Sequence, residues 1–177
     1  MFNPSSESHG MRRFLPPQRE RREFLAGVES FYRQTTRKGD RAIVVTFEVL
    51  HGEHEGCEIT KLYAYEGAAA GYFAELCRAA GVAEAFDPSD DLEVSRRIGR
   101  CPVAITVGRG REFRNGGGFF NDVKGVRAAK PAAVDRLREG GYTPAEGSLA
   151  VEPPEPSQRG MRDDGYDREP YGEEIPF

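Results

Sequence analysis

Three arginines, one phenylalanine and five glycines fall within a single run of this chain, Gly108-Arg109-Gly110-Arg111-Glu112-Phe113-Arg114-Asn115-Gly116-Gly117-Gly118. Arginine pairs with phosphate through two parallel N–H donors and also stacks on flat rings. Glycine lets a loop reshape around a flexible ligand, and Phe113 offers a face for a base. A second basic stretch holds Arg33, Arg37 and Lys38. Between the two, Lys61, Tyr63 and Tyr65 share one strand face by alternation, Phe119 and Phe120 open a later strand, and Lys124 follows. Cations that follow a phosphodiester backbone, interleaved with aromatics that each contribute about 1–3 kcal/mol per stacked base, make up the chemistry of sequence-tolerant single-strand binding.

Other chemistries find little support. The sequence has three His and no G-x-S-x-G, H-E-x-x-H or Walker A motif. The tightest metal-ligand spacing, His51-x-x-His54-x-x-Cys57, lies in a Gly-bearing run that reads as a turn. Asp87, Asp90, Asp91 and Glu93 could hold Mg²⁺ in a nuclease, but they read more simply as a solvated linker. No catalytic residue, metal or cofactor is therefore expected. Cys57, Cys77 and Cys101 are odd in number and widely spaced, which fits free thiols in a reducing cytoplasm. No apolar run approaches the roughly 20 residues of a membrane helix, and Met1 to Glu20 has no apolar signal-like core.

The net charge of −4 is an average over two unlike segments. Residues 1–139 carry 22 Lys and Arg against 20 Asp and Glu, a net of +2, and residues 140–177 carry 3 against 9, a net of −6. The negative excess ends in Asp163-Asp164-Gly165-Tyr166-Asp167-Arg168-Glu169-Pro170-Tyr171-Gly172-Glu173-Glu174-Ile175-Pro176-Phe177. Solubility does not require an aromatic terminus. An Ile-Pro-Phe peg flanked by carboxylates suits an apolar pocket with basic neighbours on a partner protein.

The elements that must position these residues follow from periodicity. Residues 1–19, with Pro4, Pro16 and Pro17, read as a disordered arm. Strands are expected at 22–34, with Phe24, Ala26, Val28 and Tyr32 at period two, and at 41–50, where Ile43, Val45, Phe47 and Val49 alternate. A third is expected at 57–65, a fourth at 98–109 and a fifth at 119–126. A helix is expected over 68–80, closed by Gly81, with Glu84 to Glu93 as an acidic linker. A short helix is expected within 131–140, Pro131 suiting its first turn. Residues 141–177 are too poor in apolar residues to offset their ordering entropy and read as a disordered tail. The order over residues 20–130 matches a five-stranded OB-fold barrel with one helix between strands three and four.

The terminal Glu173-Glu174-Ile175-Pro176-Phe177 resembles the acidic tip of bacterial single-stranded DNA-binding proteins. The body resembles a phage-encoded branch of OB-fold single-stranded DNA-binding proteins. The matching stretches are Val45-Thr46-Phe47-Glu48-Val49-Leu50-His51-Gly52-Glu53-His54-Glu55-Gly56, Ala74-Glu75-Leu76-Cys77-Arg78-Ala79-Ala80-Gly81-Val82 and Asn121-Asp122-Val123-Lys124-Gly125. The resemblance implies a non-enzymatic protein that binds and protects single-stranded DNA during phage or mobile-element replication and recombination, and that recruits replication, recombination and repair proteins through its tip. Asp163, Asp164, Asp167, Glu173, Glu174, Ile175, Pro176 and Phe177 are the expected partner-binding residues. A cytoplasmic homo-oligomer, dimer or higher, is the expected assembly. The competing expectation is an OB-fold adaptor that binds proteins but not DNA.

Overall fold

The computed structural model describes residues 13–155. The residues expected to bind partner proteins, within 163–177, lie outside them. The described chain is mainly β, with six strands and three helices: β1 (Arg13–Phe14), β2 (Arg22–Thr35), β3 (Arg41–Val49), β4 (Cys57–Ala64), α1 (Ala70–Ala79), α2 (Asp91–Ile98), β5 (Val103–Glu112), β6 (Phe119–Ala128) and α3 (Pro131–Glu139). They build one mixed sheet in the order β1-β4-β3-β2-β5-β6. All neighbours are antiparallel except β1 and β4. No helix among the described residues is long and apolar enough to cross a membrane.

The alternation in β3 does what its pattern predicts. Ile43, Val45, Phe47 and Val49 join the core from the central strand, facing Phe24, Ala26, Val28, Ile59, Tyr63, Ile105, Val107, Val123 and Val126. In β2 the simple period-two expectation fails midway. A bulge at Glu29, between the pairs Val28↔Phe47 and Ser30↔Thr46, adds one residue. A bulge of this kind exchanges the faces of everything after it. Phe31 therefore enters the core, and Tyr32 falls outside the core cluster.

Two helices, not one, separate β4 from β5. On α1, Phe73, Leu76 and Cys77 are buried and Tyr72 is exposed. The second helix runs from the end of the expected acidic linker to the first residue of the expected fourth strand, over residues 94–97 for which no element was expected. Asp90 caps it by accepting from Leu92 N and Glu93 N, acids fill its first turn, and Arg96 and Arg97 fill its last. Both charge placements favour the helix dipole. Val94 and Ile98, four residues apart, plug the core.

The sheet does not close into a barrel by strand pairing: among the described residues no ladder joins β4 to β6. Residues 13–18, expected as part of a disordered arm, occupy this seam. Arg13 and Phe14 pair with Cys57 and Glu58, and Leu15 N donates to Glu58 O at 3.0 Å. On the other side Asn121 of β6 holds the same segment. Its Nδ2 donates to Leu15 O (2.9 Å) and Pro16 O (3.0 Å), and its Oδ1 accepts from Gln18 N (2.7 Å).

The chain also continues in contact with the body beyond residue 140. Tyr142 lies over Gly27, where a Cβ would stand 2.1 Å from its hydroxyl, so the close approach requires glycine there. Arg100 stacks on the Tyr142 ring, 4.4 Å from its centroid, and donates to Thr143 O at 3.0 Å. Ala145 N then donates to Gly99 O, Leu149 N to the Ser95 hydroxyl, and Val151 N to Phe31 O, while Leu149 O accepts from Phe31 N. This segment covers the edge that β2 leaves open beyond Ala26, where its pairing with β5 ends. An uncovered strand edge is a template for unwanted pairing.

Candidate nucleic-acid interface

The β5–β6 hairpin carries the Gly-Arg run. Its ladder reaches Glu112↔Phe119, and the tip closes through Phe113 N to Gly118 O (2.8 Å), Gly116 N to Phe113 O (3.0 Å) and Gly117 N to Asn115 Oδ1 (2.9 Å). Phe113 and Phe120 meet edge-to-face with centroids 4.5 Å apart. Phe113 is exposed at 36% and Phe120 is half-buried, so together they present an aromatic surface at the tip. Phe119 is buried beneath the Arg109 guanidinium, which lies 5.1 Å from its ring and is bonded to Glu112. Arg114 is exposed and has no ionic partner among the described residues, and Arg111 is half-buried.

The β2–β3 turn is fixed by Thr36, whose hydroxyl accepts from Asp40 N and whose main chain pairs with Asp40 and Gly39. Arg37 and Lys38 stand exposed at its apex. Arg33, near its base, is already engaged. It donates to Asp91 Oδ1 (2.6 and 2.9 Å), Pro88 O (2.5 Å) and the Tyr65 hydroxyl (3.3 Å). Tyr65 is half-buried, with Arg33 and Arg41 5.7 and 5.6 Å from its ring. Tyr63, on the same strand face, lies in the core edge-on to Phe47 at 6.4 Å, and at 3% exposure it has no face free for a base.

Lys61 shares that parity but sits at the seam, where its ammonium meets Asp122 Oδ1 of β6 at 2.6 Å. Lys124 binds the other oxygen of Asp122 at 3.1 Å. Burial alone would raise the Asp122 carboxyl, but the two lysines outweigh it and hold it below the usual range. The structure therefore brings Lys61 and Lys124 together on Asp122 of β6, the strand that with β5 forms the arginine-bearing hairpin.

The β2–β3 turn lies elsewhere. Arg22 pairs with Val107 at one end of β2 and Thr35 with Arg41 at the other, so the two cationic loops are separated by the length of that strand, up to about 43 Å of contour. They cannot grip one phosphate. They can hold two parts of one long ligand. The docked segment runs parallel to β2 at Phe31↔Ala150, which directs the chain after Val151 toward the end that carries Arg37 and Lys38.

The carboxylates weighed as a Mg²⁺ site each have a structural partner. Asp87 binds Ser89, Asp90 caps α2, Asp91 holds Arg33, and Glu93 pairs with Arg96 and Arg97. No cluster of three or more His, Cys, Asp or Glu able to hold a metal occurs among the described residues. Cys57 and Cys77 are buried free thiols, and burial pushes the Cys77 thiol up to about 11.

Sequence reasoning gave no role to Arg21, which stands beside Gly108, and did not single out Asn121 or Asp122 within the stretch that contains them. A signal for Arg21 was present, as Arg19, Arg21 and Arg22 form a basic run where the β2 pattern begins. Comparison with known proteins finds no family model and no curated protein that matches the chain.

Proposed function

We propose that this protein binds and protects single-stranded DNA, without strong sequence preference, on an OB-type barrel, in phage or mobile-element replication or recombination. The observation that carries this reading is the β5–β6 tip, where the Phe113–Phe120 pair stands beside Arg109, Arg111 and Arg114. Aromatics give stacking faces to any base, and the arginines meet the phosphates. Strand order adds support. With β1 set aside, β4-β3-β2-β5-β6 is the order of a five-stranded barrel opened along one seam. In such a barrel the loops corresponding to the β2–β3 turn and the β5–β6 tip flank the oligonucleotide site. The acidic string ending at Phe177 recruits partner proteins in this reading, and the concentration of negative charge in residues 140–177 supports a role separate from the body.

The test is a fluorescence titration of the full chain against labelled oligo-dT, with duplex of equal length as competitor. Saturable binding that excess duplex does not displace is the expected result. Absence of binding, or equal preference for duplex, refutes the proposal and favours the protein-binding adaptor.

A further inference from the structure

We infer that residues 13–21 belong to the interface itself: they deliver Arg21 to a notch over Gly108, where Arg21 and Lys124 together take one backbone phosphate of a bound single strand. This deepens the single-strand-binding reading and rests on it.

The placement begins at the seam. Asn121 binds the carbonyls of Leu15 and Pro16 and the amide of Gln18, and Pro16 and Pro17 restrict the backbone between those bonds. The chain leaves this clamp and enters β2 at Arg22, opposite Val107. Arg21 is thereby set beside Gly108, the next residue along β5. A Cβ built on Gly108 would stand 3.2 Å from Arg21 Cγ, 3.5 Å from Lys124 Cγ and 3.7 Å from Lys124 Cε. Two cationic stems thus converge on a buried glycine backbone, with Arg21 exposed and the Lys124 side chain partly so.

The charge there is not balanced. Asp122 is shared by Lys61 and Lys124. Arg21 has no ionic partner among the described residues. Its neighbour Arg22, by contrast, lies 4.0 Å from Glu53 and over the Phe24 ring. Three cations against one carboxylate leave a local excess of two positive charges. A cation retained for structure alone gains by having a carboxylate, as Arg33, Arg41 and Arg127 each do. The notch also lies on the path to the stacking surface. From Gly108 to Phe113 is about 17 Å along β5, so one strand stacked at the tip reaches both. Asn121 is the positioning residue, acting through the segment it holds.

The experiment measures oligo-dT affinity over a range of salt for the full chain, Arg21→Gln, Lys124→Gln, the double variant, Asn121→Ala, and Asn121→Ala combined with Arg21→Gln. Arg136→Gln, an exposed cation on α3, is the control. Each contacted phosphate on a single strand contributes about 0.7 to the slope of log K against log salt. Arg21→Gln and Lys124→Gln are each expected to weaken binding about threefold or more and to lower the slope, by no more than about 0.7 even in the double variant, because one phosphate is shared. Asn121→Ala reproduces the Arg21→Gln loss, adding Arg21→Gln to it changes nothing further, and Arg136→Gln binds as the unsubstituted chain does. Unsubstituted chain that binds oligo-dT while Arg21→Gln and Lys124→Gln keep its affinity and slope overturns the notch alone. Unsubstituted chain that does not bind oligo-dT overturns the notch and the proposed function together.

Discussion

Replacing Ser95 by alanine tests whether the chain after α3 is truly part of the body. Ser95 is fully buried on α2, and its hydroxyl donates to Asp91 O at 2.7 Å and accepts from Leu149 N at 2.9 Å. Around it the docked segment is held by Ala145 N to Gly99 O (3.1 Å), Phe31 N to Leu149 O (3.2 Å) and Val151 N to Phe31 O (2.8 Å), with Tyr142 and Thr143 held by Arg100 further back. Loss of one such bond costs about 1 kcal/mol net, and an amide left without an acceptor adds to it. Leu149 is only half-buried, so water reaches its amide once the segment lifts, which caps the cost. The expected effect is about 1–2 kcal/mol on local opening, or a 5- to 30-fold rise in amide exchange. Native-state hydrogen exchange reads this directly at Leu149 and Val151, with Val45 in the central strand as reference. Unchanged exchange at Leu149 and Val151 refutes the docking, and an equal rise at Val45 shows that Ser95 supports the whole core instead.

Three further outcomes follow from the same structure. Phe113→Ala is expected to weaken oligo-dT binding by about 1–3 kcal/mol, whereas Tyr63→Phe leaves it unchanged because Tyr63 serves the core; the two titrations side by side check the division. Burial, and then the neighbouring carboxylates Glu29 and Glu58, push the Glu48 carboxyl up. A raised folded-state value means stability present in acid and lost as pH rises through it, so Glu48→Gln is expected to gain a few tenths of a kcal/mol at pH 7, discounted for exposure. Denaturant midpoints should show that gain vanish near pH 4. Deleting residues 161–177 is expected to abolish partner capture while oligo-dT affinity holds or rises, and lost DNA binding with retained partner capture contradicts the role given to the tail.

How far the fold was legible depended on whether a residue's task leaves a periodic trace. The alternation of Ile43, Val45, Phe47 and Val49 put β3 in the core without ambiguity, and Pro131 marked the start of α3. The bulge at Glu29 left no trace, because one inserted residue looks like ordinary variation until both neighbouring strands fix the register. Helix α2 was hidden by its own capping and surface acids, although Asp90 ahead of Val94 and Ile98 carried the signal. The seam segment and the docked segment were invisible for a different reason. Both are held by main-chain bonds, a few polar side chains such as Asn121 and Ser95, and isolated apolar anchors (Leu15, Tyr142 and Leu149) too few to leave a periodic pattern. At the candidate interface, spacing alone was enough to place Arg109, Arg111, Phe113 and Arg114 on one hairpin. That Arg33 is consumed by Asp91, and that Tyr63 faces inward, required partners distant in sequence.

The central claim is that a single strand lies across the β5–β6 tip. Ultraviolet cross-linking of the full chain to bromodeoxyuridine-substituted oligo-dT, followed by peptide mapping, tests it most directly. The account predicts adducts at Phe113 and Phe120, lost when unlabelled oligo-dT competes. Adducts confined to other segments, or none at a concentration where the strand is saturated, would contradict it.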